Sequence, residues 1–200
     1  MSVRLTRIEQ QEQTRERVIA AAERLFVERG FHASSVGDIA AAAGFTKGAV
    51  YSNFAAKEDV FFAVYERRVA QRVIEMKRTL VETGDVLAGL DAIALATARR
   101  RGTAEDGWLA AFFEFWAHVI RRPALRERFA ELHARAQAPL VEALERHTGR
   151  SDARRLAVAG YAMQLGLALE RLTQPDVVDE QLGARMGRLF LEEMRDDPSG

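Results

Sequence analysis

The 200-residue sequence has no cysteine. That excludes a disulfide framework, a thiol nucleophile and a cysteine-ligated metal. It has no run of about 18 apolar residues, so nothing in it reads as a membrane span. The opening stretch lacks the apolar h-region of a secretory signal, so the expected compartment is the cytosol. Net charge is zero, and the basic and acidic residues of the first sixty positions also balance. A nucleic-acid footprint is therefore not advertised by charge, and any such reading must rest on local arrangement. Walker-type loops, Gly-x-Ser-x-Gly and paired Glu-x-x-His motifs are all missing. The last absence speaks against a helical-bundle di-iron enzyme. Strand signals are nearly absent too, and no repeat or low-complexity segment is visible.

What is present is helical. Ala, Leu, Arg and Glu dominate, and they are good helix formers. Hydrophobic residues make up 48% of the chain, enough for a real core. A first helix is expected over about 14–29, with Val18, Ala22, Leu25 and Phe26 on one face and Gly30 at its end. Ser35 reads as the cap of a short second helix, with Asp38 completing a capping box. Gly44 ends that helix. Thr46 caps a third, anchored by Ala49, Val50 and Phe54. A fourth is expected from Lys57 to about Thr83, some 39 Å long. Five more are expected over about 85–101, 108–122, 123–147, 151–173 and 179–195, with Pro139 as a kink or break inside the seventh. Arg4 and Arg7 are left as a disordered tail or an arm reaching a minor groove.

Residues 35–54 have the shape of a helix-turn-helix, with Gly44-Phe45-Thr46 as the turn. Its second helix presents Lys47, Gly48, Tyr51 and Ser52 outward, as a helix entering a major groove must. The stretch 18–61 resembles the DNA-binding domain of the TetR/AcrR regulators. Leu25-Phe26, Gly30-Phe31, Ser34-Ser35-Val36, Ile39-Ala40, Ala43-Gly44-Phe45-Thr46, Gly48, Val50-Tyr51, Phe54 and Lys57-Glu58 carry the resemblance. It implies an all-α fold of about nine helices. A three-helix DNA-binding domain (1–60) would be joined by a long helix to a ligand-sensing and dimerisation domain (61–200). It also implies a homodimer on an inverted-repeat duplex, released by a small-molecule effector, with no catalysis, cofactor, metal or membrane. The implied DNA contacts are Ser35, Thr46, Lys47, Gly48, Tyr51, Ser52 and Lys57. Bland roles stand beside them: Ser35 as a cap only, Gly48 for packing, Tyr51 as a half-buried core ring, Lys57 as solvated surface. Ser52 and Asn53 depart from the His or Tyr common in relatives, and Ala56 replaces the usual Ser or Asn cap of the fourth helix.

The segment 108–125 resembles the sensor domain of the BetI-like group. Its aromatics serve either as core or as the wall of an apolar pocket, with Trp108, Phe112, Trp116, Met163 and Leu167 as expected walls. Glu114 and His118, one turn apart, are expected to pair by a hydrogen bond rather than to read a ligand or a metal. Gly160, Gly166, Gly183, Gly187 and Phe190 are the expected dimer contacts, with intrachain packing as the alternative. A helical adaptor without DNA binding is the remaining rival reading, opposed by the intact Lys47, Gly48, Tyr51 and Lys57.

Overall fold

A computed structural model describes residues 6–100, 102–148 and 152–196. Among the described residues every regular element is helical: α1 (Arg7–Ala33), α2 (Val36–Ala43), α3 (Lys47–Tyr51), α4 (Lys57–Thr83), α5 (Val86–Arg99), α6 (Thr103–Ile120), α7 (Pro123–Thr148), α8 (Ala153–Thr173) and α9 (Glu180–Asp196). Arg4 and Ser151 lie outside the described residues, as do the side chains of 190–196.

Two boundaries differ from the sequence expectation, each for a physical reason. α1 begins at Arg7, because Thr6 and Glu9 form a reciprocal capping box. Arg7 is therefore the first residue of a helix and not part of an arm. α6 begins at Thr103 and runs through Gly107. A Cβ at Gly107 would lie 2.2 Å from the Val27 carbonyl oxygen, so the glycine lets α6 pack against the backbone of α1. α7 continues as one helix through Pro139. Ala56 lacks a capping side chain, yet its N–H donates to the Asp59 carboxylate at 3.0 Å, so the N3 side chain supplies the cap.

The described residues pack as two compact units. The first draws on Met1–Arg68 and Gly102–Phe129, the second on Val69–Arg101 and Ala130–Gly200. In the first, Phe26, Phe31, Phe61, Phe62 and Phe115 are fully buried. Phe61 stacks on Phe115 at 4.0 Å and on Trp108 at 5.2 Å, and Phe31 meets Phe115 edge-on at 4.9 Å. Such offset and edge-to-face pairs add to the burial of apolar area. The second unit is built on Leu90, Leu144, Ala153 and Ala157, with Leu80, Val86, Leu140, Val141 and Leu156 around them.

Candidate nucleic-acid interface

The interface is assembled by caps and one turn. α1 is interrupted at Gly30, whose φ of 82° is a left-handed value. The buried Ser34 hydroxyl then donates to the carbonyls of Gly30 (2.8 Å) and Leu25 (3.3 Å). Ser35 starts α2 with a complete capping box shared with Asp38. The Ser35 hydroxyl and backbone N–H hydrogen-bond the Asp38 carboxylate and hold its pKa below the ordinary 3.8. Gly44 ends α2 at φ 74°, and Phe45 N–H returns to the Ala40 carbonyl at 2.9 Å. Arg17 of α1 braces this turn. Its guanidinium donates to the Ala43 carbonyl at 3.0 Å and lies 4.7 Å over the Phe45 ring. Nothing in the sequence pattern marked Arg17, which looks like any helical surface arginine.

Thr46 caps α3 by accepting from Ala49 N–H. Val50 and Phe54 are buried and hold the helix down. Thr46, Lys47, Gly48, Tyr51 and Ser52 are thereby left exposed together, with Ser35 exposed at the start of α2. Tyr51 is 54% exposed, which sets aside a core role for its ring. A Cβ at Gly48 would find only Thr46 Oγ1, at 3.8 Å. Among the described residues no packing requires that glycine. Gly37 is different: a Cβ there would meet Lys47 Cε at 2.6 Å. The Lys47 side chain therefore crosses the start of α2 beside Ser35. The Ser52 hydroxyl turns back to the Ala49 carbonyl at 2.8 Å.

Lys57 does not share that open face. Its ammonium donates to the carbonyls of Phe31 (2.8 Å) and Ser34 (3.0 Å), reaches that of His32 at 3.5 Å, and lies 4.2 Å over the Phe31 ring. Burial lowers its pKa below 10.5, opposed by the charges of Glu58 and Glu114. The expected Glu114–His118 pair is replaced by two others. His118 Nε2 meets Glu58 Oε1 at 2.9 Å, and Glu114 accepts from the His32 N–H at 2.9 Å. Among the described residues no cluster of three metal-ligating side chains occurs.

Comparison with known proteins decides what this arrangement belongs to. Residues 18–64 match the family model for bacterial regulatory proteins of the tetR family. Residues 97–196, half of the chain, match the model for the C-terminal part of BetI-type transcriptional repressors. The chain belongs to the TetR family. Members of this family are DNA-binding regulators and not enzymes. The regulator is 44% identical over 63 residues to AcrR of Shigella flexneri, covering 32% of this chain and 29% of that relative. It is 29% identical over 188 residues to TtgR of Pseudomonas putida, covering 88% of each. The matched stretch spans about a third or less of several curated relatives. Among solved structures the regulator resembles the fatty acid degradation regulator FadR of Bacillus halodurans (TM-score 0.70, 20% identity, 88% of this chain and 94% of that one). It also resembles RolR in complex with the ligand resorcinol (TM-score 0.63, 23% identity, 92% and 90%). These likenesses show the fold.

The remaining expected sites of the TetR-family regulator are distributed as follows. Trp108 and Phe112 are buried in the first unit, where Phe112 packs on Tyr65, Trp116 and Phe129. Trp116 is half-buried there, and Met163 and Leu167 are half-buried in the second unit. Within the second unit a crevice of about 480 Å³ runs along α5, lined by Ala92, Leu95, Ala96, Arg99 and Arg100. The sequence reading did not anticipate it. Gly183 is buried against Gln164 of α8, whose amide donates to the Gly183 carbonyl at 2.9 Å, and Gly187 lies beside the same amide. Gly183 therefore serves packing within the chain, whereas a Cβ at Gly187 would make only an ordinary contact. Gly166 opens to empty space and Gly160 is half-buried. The Phe190 side chain lies outside the described residues. Exposed apolar side chains on these helices are instead Val158, Leu169 and Leu172 on α8 and Met186 and Leu189 on α9. No described helix is long and apolar enough to cross a membrane.

Proposed function

We propose that this TetR-family regulator binds an inverted-repeat operator as a homodimer and represses transcription until a small apolar or amphipathic effector lowers its affinity. The observation that carries the DNA-reading role is the outward face of α3. It is exposed, carries Tyr51 and Lys47, and is bare at Gly48 although nothing among the described residues needs a glycine there. A missing side chain on an outward face serves whatever docks from outside. Thr46, Lys47, Gly48, Tyr51 and Ser52 enter the groove on this reading, and Ser35 meets the backbone beside them. The exposed apolar residues of α8 and α9 support dimerisation, since a two-fold protein matches a two-fold site. A small-molecule effector accords with the BetI-type match and with resorcinol in RolR. A hundredfold release corresponds to a coupling of about 2.7 kcal/mol. The test is selection from random-sequence duplexes, followed by binding measured across salt concentrations. A two-fold symmetric sequence bound more weakly as salt rises is expected. Recovery of no sequence above background would defeat the proposal.

A further inference from the structure

Beyond the break at Gly30, the end of α1 and its junction with α2 are held in part by side chains from two other elements. Glu114 of α6 accepts the His32 N–H at 2.9 Å, and Lys57 at the start of α4 binds the Phe31 and Ser34 carbonyls at 2.8 and 3.0 Å. Gly30 gives Glu114 its place: besides a left-handed φ, a Cβ there would lie 2.4 Å from Glu114 Oε1. Next to this clasp, the buried Phe31 ring packs on Phe115 and His118 of α6 and on Phe61 of α4. The direction in which the chain leaves Gly30 fixes where Ser35 starts α2, and α2 and the Gly44 turn fix α3. Lysine suits this position because cations are favoured at the carbonyl end of a helix.

We propose that Glu114 is a positioning residue for DNA binding, acting on the reading helix through the joint at 30–35, which Lys57 also holds, and not through contact with DNA. This rests on the DNA-binding reading above. It makes operator affinity depend on α6, which lies in the segment matched by the BetI-type sensor model.

The experiment compares Glu114→Ala, Glu114→Gln, Lys57→Met, the Glu114→Ala/Lys57→Met double variant and Lys47→Ala with the wild type. The probe is a duplex selected by the wild type from random-sequence DNA, titrated across salt concentrations. Amide exchange of residues 30–44 is followed without DNA, and thermal melts confirm folding. Glu114→Ala is expected to weaken binding by about tenfold with the wild-type salt slope, and the double variant by less than the product of the two single changes. Glu114→Gln, which keeps an oxygen for the His32 N–H, is expected to stay within about threefold. Lys47→Ala is expected to lower the slope by about one. Exchange at 31–36 is expected to quicken in Glu114→Ala while 18–29 stay protected. If Glu114→Ala does not fold, Glu114→Asp, which withdraws the carboxylate by one methylene, carries the same expectation. Unchanged affinity in Glu114→Ala, or a salt slope lowered by about one in that variant, overturns the proposal. If the wild type selects no duplex, the DNA-binding reading fails by itself. Exchange then still decides the clasp, and unchanged exchange at 31–36 overturns it.

Discussion

Gly48 and Gly37 sit close together in the head but do opposite work. At Gly48 the space is open, so Gly48→Ala is expected to raise thermal stability, by up to about 1 kcal/mol from helix propensity. The same change is expected to weaken operator binding, because the methyl group projects from the reading face. A melt and a gel shift on one sample check both signs, and weaker stability with unchanged binding would refute the assignment. At Gly37 a methyl group meets the far end of a flexible lysine. Gly37→Ala is therefore expected to leave folding nearly untouched while displacing Lys47. His133, on α7, makes a different prediction. Burial lowers its pKa below 6.5, so the folded chain holds this proton less readily than the unfolded chain. Stability from this group is full above pH 6.5 and declines as pH falls through and below that value. His133→Gln is expected to shrink the difference in urea midpoint between about pH 7.5 and 5.5. An undiminished difference would assign the pH dependence to other groups.

At the scale of elements, ion pairs of unequal worth join α4 to α1, to α6 and to α7. Glu23 of α1 binds Arg67 and Arg68 of α4, and Arg68 also bonds Glu105 of α6 at 3.0 Å and lies 4.6 Å over Trp108. Burial by itself would raise the Glu23 carboxyl, but its hydrogen bonds and charge contacts with Arg68 and Arg67 hold it below 4.5. Arg68→Met leaves two half-buried carboxylates short of a partner and is expected to cost about 2 kcal/mol, read as a lowered melting temperature. Lys77 and Glu142 are each 55% exposed at 3.7 Å. Lys77→Ala is expected to cost less than about 0.5 kcal/mol in the same assay. Similar losses for the two variants would show that burial does not set the difference. The early start of α1 was readable in advance, since Thr6 and Glu9 have capping-box spacing. The run of α6 through Gly107 was not, because its reason is the Val27 carbonyl on another helix.

For the whole molecule, the exposed Leu172 and Leu189 offer the point of attack on the proposed dimer. A Leu172→Glu/Leu189→Glu variant is expected to give the mass of a monomer by light scattering where the wild type gives a dimer, and to lose cooperative binding to the full inverted repeat. Gly183→Ala is expected to leave the dimer mass unchanged, since its Cβ would press on Gln164 of the same chain. A dimeric double variant would move the interface elsewhere.

The sequence by itself determined that the chain is helical, the caps of α2 and α3, the Gly44 turn and the outward set on α3. These follow from signals that act within a few residues: side-chain oxygens at N-caps, glycine at left-handed turns and apolar spacing along one face. Only the tertiary structure decided that Lys57 faces carbonyls, that Glu114 leaves His118 for the His32 N–H, that Arg17 braces the turn, and that Gly183 serves its own chain. Each of those contacts joins residues far apart along the chain, 82 positions in the case of His32 and Glu114. Helical spacing fixes which face a side chain occupies, but its partner is whatever the packed fold brings against that face.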